Sequence, residues 1–181
     1  EKKISSKTKA IILVHTFGIS AENQSIENFG IPVIHDCCQS LGRTSSEAWI
    51  GSNKSIATYS LHPTKCLSGG EGGLLATNDE AIMDAIIDIR SIHKTYFVFS
   101  DMQAALARSQ LSRYEEILTR RKEIAEMYFS LLPKKNTEKL GSLADKSMFF
   151  RFPLEIKENF EEVKKVLDKK GIQVRKGVDS L

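Results

Sequence analysis

The sequence predicts an α/β protein built on a mostly parallel sheet, with part of a small α+β domain at its C-terminal end. Two continuous apolar runs, AIILVHTF at 10–17 and IPVIHDCC at 31–38, flank a short polar stretch. Strand, helix and strand at this spacing make a βαβ unit, which joins parallel strands. From Met148 onward the pattern becomes MFFRFPLEI, then NFEEVKKVLDKKG, then IQVRKGV, a strand, an amphipathic helix and a strand of a smaller lobe.

Taken in order, the first run lacks polar alternation, as expected of a strand buried on both faces. Ser20 is placed to cap a short helix through Phe29, and Gly30 to stop it. The second run is the next buried strand. Ligands of such sheets collect at the carboxyl ends of the strands, and Asp36 stands at that end. A polar connector at 42–54 leads to two further strands, SIATYSL at 55–61 and GLLAT at 73–77. Thr77 to Glu80 read as a capping box opening the helix AIMDAIIDIRSI, and Ser100 to Gln103 as a second one. The second box starts one long helix that runs to Pro133, with Leu106, Leu111, Ile117, Leu118, Ile124 and Met127 at helical spacing. Residues 134–146 read as a loop and a domain boundary, giving a large domain at 1–133 and a partial small domain at 134–181. In the latter, Asn159 caps the helix and Gly171 stops it.

Composition narrows the function classes. Hydrophobic residues make up 41% of the 181, enough for a real core. The net charge of +3 is small, and the basic residues gather at 120–122 and 164–170 on amphipathic segments. Those are solvated helix faces rather than a nucleic-acid surface. The three cysteines, Cys37, Cys38 and Cys66, form no CxxC spacing, so neither a disulfide framework nor a zinc or other metal site is indicated. Reduced thiols point to the cytoplasm. No apolar run approaches the roughly 20 residues of a membrane span, and the polar opening EKKISSKTK is not a signal peptide. The absence of an initiator Met and the abrupt end at Asp179-Ser180-Leu181 read as a piece of a longer chain.

The chemistry concentrates between Ile31 and Gly73. A buried-strand acid such as Asp36 needs a partner, which is either a cap or salt bridge or a ligand cation such as a pyridinium. Lys65 is either a solvated loop lysine or a desolvated amine that forms a Schiff base. Ser60 is a turn serine or a donor to a phosphate oxygen. Gln39 is a helix-start residue or a donor to a phenolic oxygen. The glycines at 69, 70, 72 and 73 make a hairpin turn or let backbone approach a ligand. His35 neighbours Asp36 on a strand, so its side chain belongs to the opposite face.

In this order these residues resemble the DegT/StrS family of sugar aminotransferases. The resemblance is carried by Lys9-Ala10-Ile11-Ile12, Val14-His15 and Gly18, by Asp36-Cys37-Cys38-Gln39, and above all by Ser60-Leu61-His62-Pro63-Thr64-Lys65 with Gly70-Glu71-Gly72-Gly73. Ser100 to Leu106, Gln110-Leu111 and Arg120-Arg121-Lys122 continue it over nearly the whole chain. It implies a fold type I, aspartate-aminotransferase-like pyridoxal 5′-phosphate (PLP) enzyme, here part of the large domain and the start of the small one. Lys65 would then carry the internal aldimine and move the proton. Asp36 would hold the pyridinium, Gln39 the phenolic oxygen and Ser60 a phosphate oxygen, with Cys38 packed under the ring. The implied reaction moves an amino group, from glutamate, to a keto group of a nucleotide-linked sugar, in a cytoplasmic homodimer with shared sites. A branch of the family with histidine in place of the lysine dehydrates sugars instead, and Lys65 argues against it. The chain also departs from the family. An N-terminal phosphate-binding turn and a stacking aromatic are absent, Tyr96 stands where an asparagine is usual, and the connector from Arg90 to Ser100 is short. Those departures leave a second reading, a truncated copy that acts as a scaffold or partner-binding module.

Overall fold

The computed structural model describes residues 3–21, 26, 28–42, 56–92 and 98–177. The apolar runs form one sheet of four strands, β1 (Ile11–Val14), β2 (Val33–Asp36), β3 (Ile56–Ser60) and β4 (Gly73–Ala76), in that order across the sheet. The first three are parallel and β4 is antiparallel to β3, as the βαβ spacing predicts for a mostly parallel sheet. Val14 pairs with Asp36 and Asp36 with Thr58, so the carboxyl ends of three strands stand level. β1 is shorter than its apolar run because the chain turns at Phe17 and Gly18, whose φ angles are +61° and +82°. It is also less buried than expected. Ile12 is 67% exposed, and β4 is exposed throughout.

Among the described residues five α-helices follow in order. Helix α1 (Glu80–Ile92) is not opened by the predicted Thr77–Glu80 box. Asp79 caps it by accepting the Ile82 N–H at 3.1 Å, while Thr77 Oγ1 accepts the Asp79 N–H at 3.1 Å. An aspartate directly before the first turn is the stronger cap, and the threonine shapes the preceding turn. The predicted box at Ser100 and Gln103 is formed, and opens α2 (Asp101–Leu111). The expected long helix breaks at Ser112 and Arg113 and resumes as α3 (Tyr114–Leu131). The break turns Tyr114 inward, to 2% exposure, where its hydroxyl donates to the Leu41 carbonyl. Residues 134–141, expected as loop, form α4 (Lys134–Gly141), because Thr137 and Leu140 are buried and tertiary packing overrides a polar composition.

The small-lobe strands are not formed among the described residues. Residues 147–151 instead cross the turn after β1. The Met148 N–H donates to Gly18 O, the Arg151 N–H to Phe17 O, and Ile19 and Ser147 make an isolated bridge. Phe149, at φ +53°, interrupts any extended run there. A strand is stable only against a neighbouring ladder, and neither 147–155 nor 172–177 has one in the described residues. Between them, α5 (Phe160–Asp168) has the predicted Asn159 cap, and Gly171 ends it at φ +73°. The helix expected after Ser20 and the connector after Gly42 fall mostly on residues outside the described set.

Two buried clusters make the core. Cys37, Ala57, Met148 and Phe150 form one, and Leu61, Leu67, Ala107 and Tyr114 the other, with Cys66 and Leu118 packed against both. The core therefore lies between the ends of β2 and β3, the loop after β3 and helices α2 and α3. Gly18 is required where 148–150 cross. A Cβ there would stand 2.8 Å from Met148 Cγ and Phe150 Cβ, and 2.9 Å from Phe150 N.

Candidate functional site

The site is built on the level ends of β1, β2 and β3. The His15 N–H donates to Asp36 O at 3.0 Å and the Cys37 N–H to Thr58 O at 2.9 Å, which locks the three ends together. Asp36 Oδ1 accepts the Cys38 N–H at 3.0 Å, turning the chain sharply after β2. Gln39 Oε1 accepts the Phe17 N–H at 2.9 Å. A backbone N–H can only donate, so this bond fixes the amide orientation and leaves the Gln39 NH2 as the outward donor. Ser60 Oγ accepts the His62 N–H at 3.3 Å, so the hydroxyl proton is left to donate.

Lys65 lies on the loop that joins β3 to β4. The loop is closed at its neck by Leu61 N–H to Gly72 O and by Gly69 N–H to Leu61 O, both 2.9 Å. Among the described residues no carboxylate lies within 4.0 Å of the Lys65 amine, which stands 5.5 Å from the centroid of the Phe150 ring. The glycines of the loop serve the turn and a packing contact. Gly70 and Gly72 have φ of +86° and +121°, and a Cβ on Gly69 or Gly72 would meet the Phe99 ring at 2.8 Å.

Four of the five predicted site residues, Cys38, Gln39, Ser60 and Lys65, line one cleft, together with Leu41, Cys66, Leu67, Tyr114, Met148 and Phe150. Asp36 does not line it and adjoins it through Cys38, whose backbone N–H donates to the Asp36 carboxylate. Burial pushes the Cys38 thiol upward from its ordinary value. The Asp36 hydrogen bond and charge act in the same direction, against a pull from Thr58 and Lys65. Burial likewise raises Cys66, opposed by Arg121, Arg151 and Lys65. Both thiols are thus protonated packing groups at neutral pH. Three cations around Cys66 make this end of the sheet suited to an anionic ligand. With its open mouth the cleft measures about 190 Å³.

Several lining residues were not singled out from sequence. Met148 and Phe150 come from the segment read as a small-domain strand, and Tyr114 from the middle of the expected long helix. Their contacts are made across more than 70 residues of chain in the case of Tyr114 and Leu41, and only the irregular crossing at 147–151 brings the first two in. His35 does point away from Asp36, as the strand alternation predicts. It is 2% exposed, and its Nδ1 lies 2.9 Å from Nε2 of the buried His15. His15 Nδ1 accepts the Ala21 N–H, so His15 Nε2 is the donor of that pair. Tyr96 lies outside the described residues.

A parallel sheet with an acid at the end of one strand and an amide just beyond it, a hydroxyl at the end of the next and a lysine on the following loop is the arrangement expected of the large-domain side of a fold type I PLP enzyme. The chain belongs to the DegT/DnrJ/EryC1/StrS aminotransferase family, whose model matches residues 1–176. It is 29% identical to the GDP-perosamine synthase of Escherichia coli O157:H7 over 156 residues, which is 77% of this chain and 42% of that one. It thus spans less than half the length of that relative. Among solved structures it is similar to Helicobacter pylori PseC, an aminotransferase involved in the biosynthesis of pseudoaminic acid. The TM-score is 0.78 and the identity 26%, over 94% of this chain and 52% of that one. The fold is shared with an E. coli GDP-4-keto-6-deoxy-D-mannose-3-dehydratase solved with hydrated PLP bound, at TM-score 0.75 and 20% identity over 98% of this chain and 55% of that one.

The residues present fit PLP. The chain offers a carboxylate behind the floor of the cleft, two donors whose acceptor sides are already occupied by backbone N–H groups, and an amine without a carboxylate partner among the described residues. That set matches a protonated ring nitrogen, a phenolic oxygen, a phosphate and an aldehyde.

Proposed function

We propose that this chain is the cofactor-anchoring part of a sugar aminotransferase, which moves an amino group from glutamate to a keto group of a nucleotide-linked sugar. The observation that carries this is the common cleft of Cys38, Gln39, Ser60 and Lys65. Bound PLP supplies an aldehyde carbon that captures amines and a ring that takes up the electron pair released at the substrate carbon. Lys65 Nζ would be the amine that holds the aldehyde and, when free of it, the base that carries a proton to and from the substrate carbon. Asp36 would keep the ring nitrogen protonated, and Cys38 would pack against the ring. The Gln39 NH2 would donate to the phenolic oxygen and the Ser60 hydroxyl to a phosphate oxygen. Residues 1–133 supply this machinery and 134–181 begin the small domain. In this reading the protein is a cytoplasmic homodimer in which residues of the partner complete each site. A lysine at this position, where the family's dehydrating branch has histidine, favours transamination over dehydration.

The test is incubation with PLP followed by borohydride and peptide mapping. The expected result is a pyridoxyl label on Lys65 that is absent in Lys65→Ala. Isotope-labelled glutamate should then deliver its nitrogen to a nucleotide-linked keto sugar. Absence of label on Lys65 in the wild type would leave the scaffold reading in its place.

A further inference from the structure

Helix α2 presents one stripe to the lysine loop, consisting of Gln103, the buried Ala107 and Gln110, with Phe99 before it and Tyr114 after it. Intervals of four and three keep these residues on one helical face. Gln110 grips Ser68 at two points. Its Oε1 accepts the Ser68 N–H at 3.1 Å and its Nε2 donates to Ser68 O at 3.0 Å. Gln103 reaches the same loop about two helical turns earlier, donating from Nε2 to Glu71 O at 3.3 Å, while its Oε1 accepts from Ser100 in the capping box. Phe99 fills the space left by Gly69 and Gly72.

A side-chain amide carries one donor and one acceptor face, as a peptide group does. Gln110 therefore pairs with Ser68 as a neighbouring strand would, although the loop has no strand beside it there. Ser68 is three residues after Lys65. The chain bends over residues 65–67, and on the other side of the lysine its N–H is tied to His62 O at 2.9 Å. With the backbone held at His62 on one side and at Ser68 on the other, a displacement of Ser68 is passed to the lysine. The clamp is also neutral, so it adds no charge beside the amine.

We propose that Gln110, supported by Gln103, is a positioning residue that fixes the Lys65 loop to α2 and so sets where the lysine amine stands. The inference deepens the reading of Lys65 given above and rests on it. Gln110→Met matches the side chain in length and removes both hydrogen bonds. Gln110→Glu keeps an acceptor for the Ser68 N–H and loses the donor. The first readout is amide hydrogen exchange of the chain without cofactor. Exchange at Leu61, Ser68 and Gly69 should quicken by roughly tenfold or more in Gln110→Met, the factor expected from losing two neutral hydrogen bonds, and by less in Gln110→Glu. Exchange in α4 should not change. The second readout is the rate of borohydride-trapped pyridoxyl labelling at Lys65, which should fall in step with the loop exchange. Unchanged loop exchange overturns the proposal. So does acceleration shared equally by α4, which is general destabilisation, or faster loop exchange with undiminished labelling. If Gln110→Met does not fold, Gln110→Glu decides by the same criteria. Failure of the cofactor reading shows as an unlabelled wild type, whereas failure of the clamp shows as one of these three patterns in the variants while the wild type still labels.

Discussion

Gly18→Ala should be among the most damaging single-methyl changes in this chain, and its cost can be assembled from the structure. Two independent effects act at that position. The φ of +82° is one that L side chains rarely adopt, at a cost of about 1–2 kcal/mol. The new Cβ would also stand 2.8 Å from Met148 Cγ and Phe150 Cβ and 2.9 Å from Phe150 N. The methionine can swing aside. The Phe150 backbone cannot, because its carbonyl accepts from Arg121 at 3.1 Å and the flanking N–H groups of Met148 and Arg151 are tied to Gly18 and Phe17. Overpacking of this kind adds about 1–3 kcal/mol, for a total of roughly 2–5 kcal/mol against a typical domain stability of about 5–15 kcal/mol. Gly30→Ala provides the control, since Gly30 has φ +63° and nothing within 4 Å of its would-be Cβ. It should show the conformational cost alone. Urea unfolding followed by far-ultraviolet circular dichroism measures both. If Gly18→Ala costs no more than Gly30→Ala, the close approach of 148–150 to the end of β1 is wrong, and with it the placement of Phe150 in the cleft.

Three further changes test other parts of the structure. Tyr114→Phe leaves the Leu41 carbonyl without its buried donor and should lower stability by about 1–3 kcal/mol in urea unfolding. Ser100→Ala removes the acceptor for the Gln103 N–H and should cost about 1 kcal/mol, within the usual range for a lost N-cap; a thermal melt with no shift would contradict the capping box. Stability should also fall in base. Burial holds the Tyr114 hydroxyl, Cys38 and Cys66 above their ordinary values, so the folded chain retains protons that the unfolded chain loses. The stabilising contribution is complete below the unfolded values, about 8.5 for cysteine and 10 for tyrosine. It is lost as pH rises beyond them, by up to about 1.4 kcal/mol per pH unit for each group. In Tyr114→Phe the part of this fall that begins near the tyrosine value should be missing, which the pH dependence of the urea midpoint can show.

The parts of this structure that sequence made legible are those whose causes are local. Ser100 and Asn159 became caps and Gly171 stopped its helix because each depends on residues within one turn of the chain, and the strands β1 to β3 were legible because each pairs with the strand next to it in sequence. The failures are non-local. Periodicity runs straight through Ser112 and Arg113, so the break there has no local mark, and only the burial of Tyr114 against Leu41 accounts for it. KKNTEKLG looks like a loop until Thr137 and Leu140 find a surface to cover. MFFRFPLEI has strand composition, but a strand is made by its neighbour, and here the segment's partners are the carbonyls of Phe17 and Gly18. The site divides in the same way. Asp36 to Gln39 and Ser60 to Lys65 were legible because each group is contiguous, whereas Phe150 and the Gln110 clamp on Ser68 depend on tertiary contacts.

The hydrogen bonds around the cleft also bear on whether the chain is a working anchor or a relic. Gln39 and Ser60 in the cleft, and Asp36 beside it, are held by the same device, a main-chain N–H donating to a side-chain oxygen. Phe17 binds Gln39, Cys38 binds Asp36 and His62 binds Ser60. The fold thus spends acceptor atoms on its own turns and leaves the donors of Gln39 and Ser60 available. A surface donor in an unconstrained loop would be oriented by water and would present either face. Here two donors, with an amine lacking a carboxylate partner among the described residues, line one cleft, and Arg121 and Arg151 add two further positive charges near Cys66. Such a surface attracts anions that accept hydrogen bonds and carry a group reactive toward amines. The bonds that orient it also shape the turns beyond β1, β2 and β3. Sequence drift that erased the donors would therefore disturb the turns as well, which is a physical reason for the pattern to be retained together.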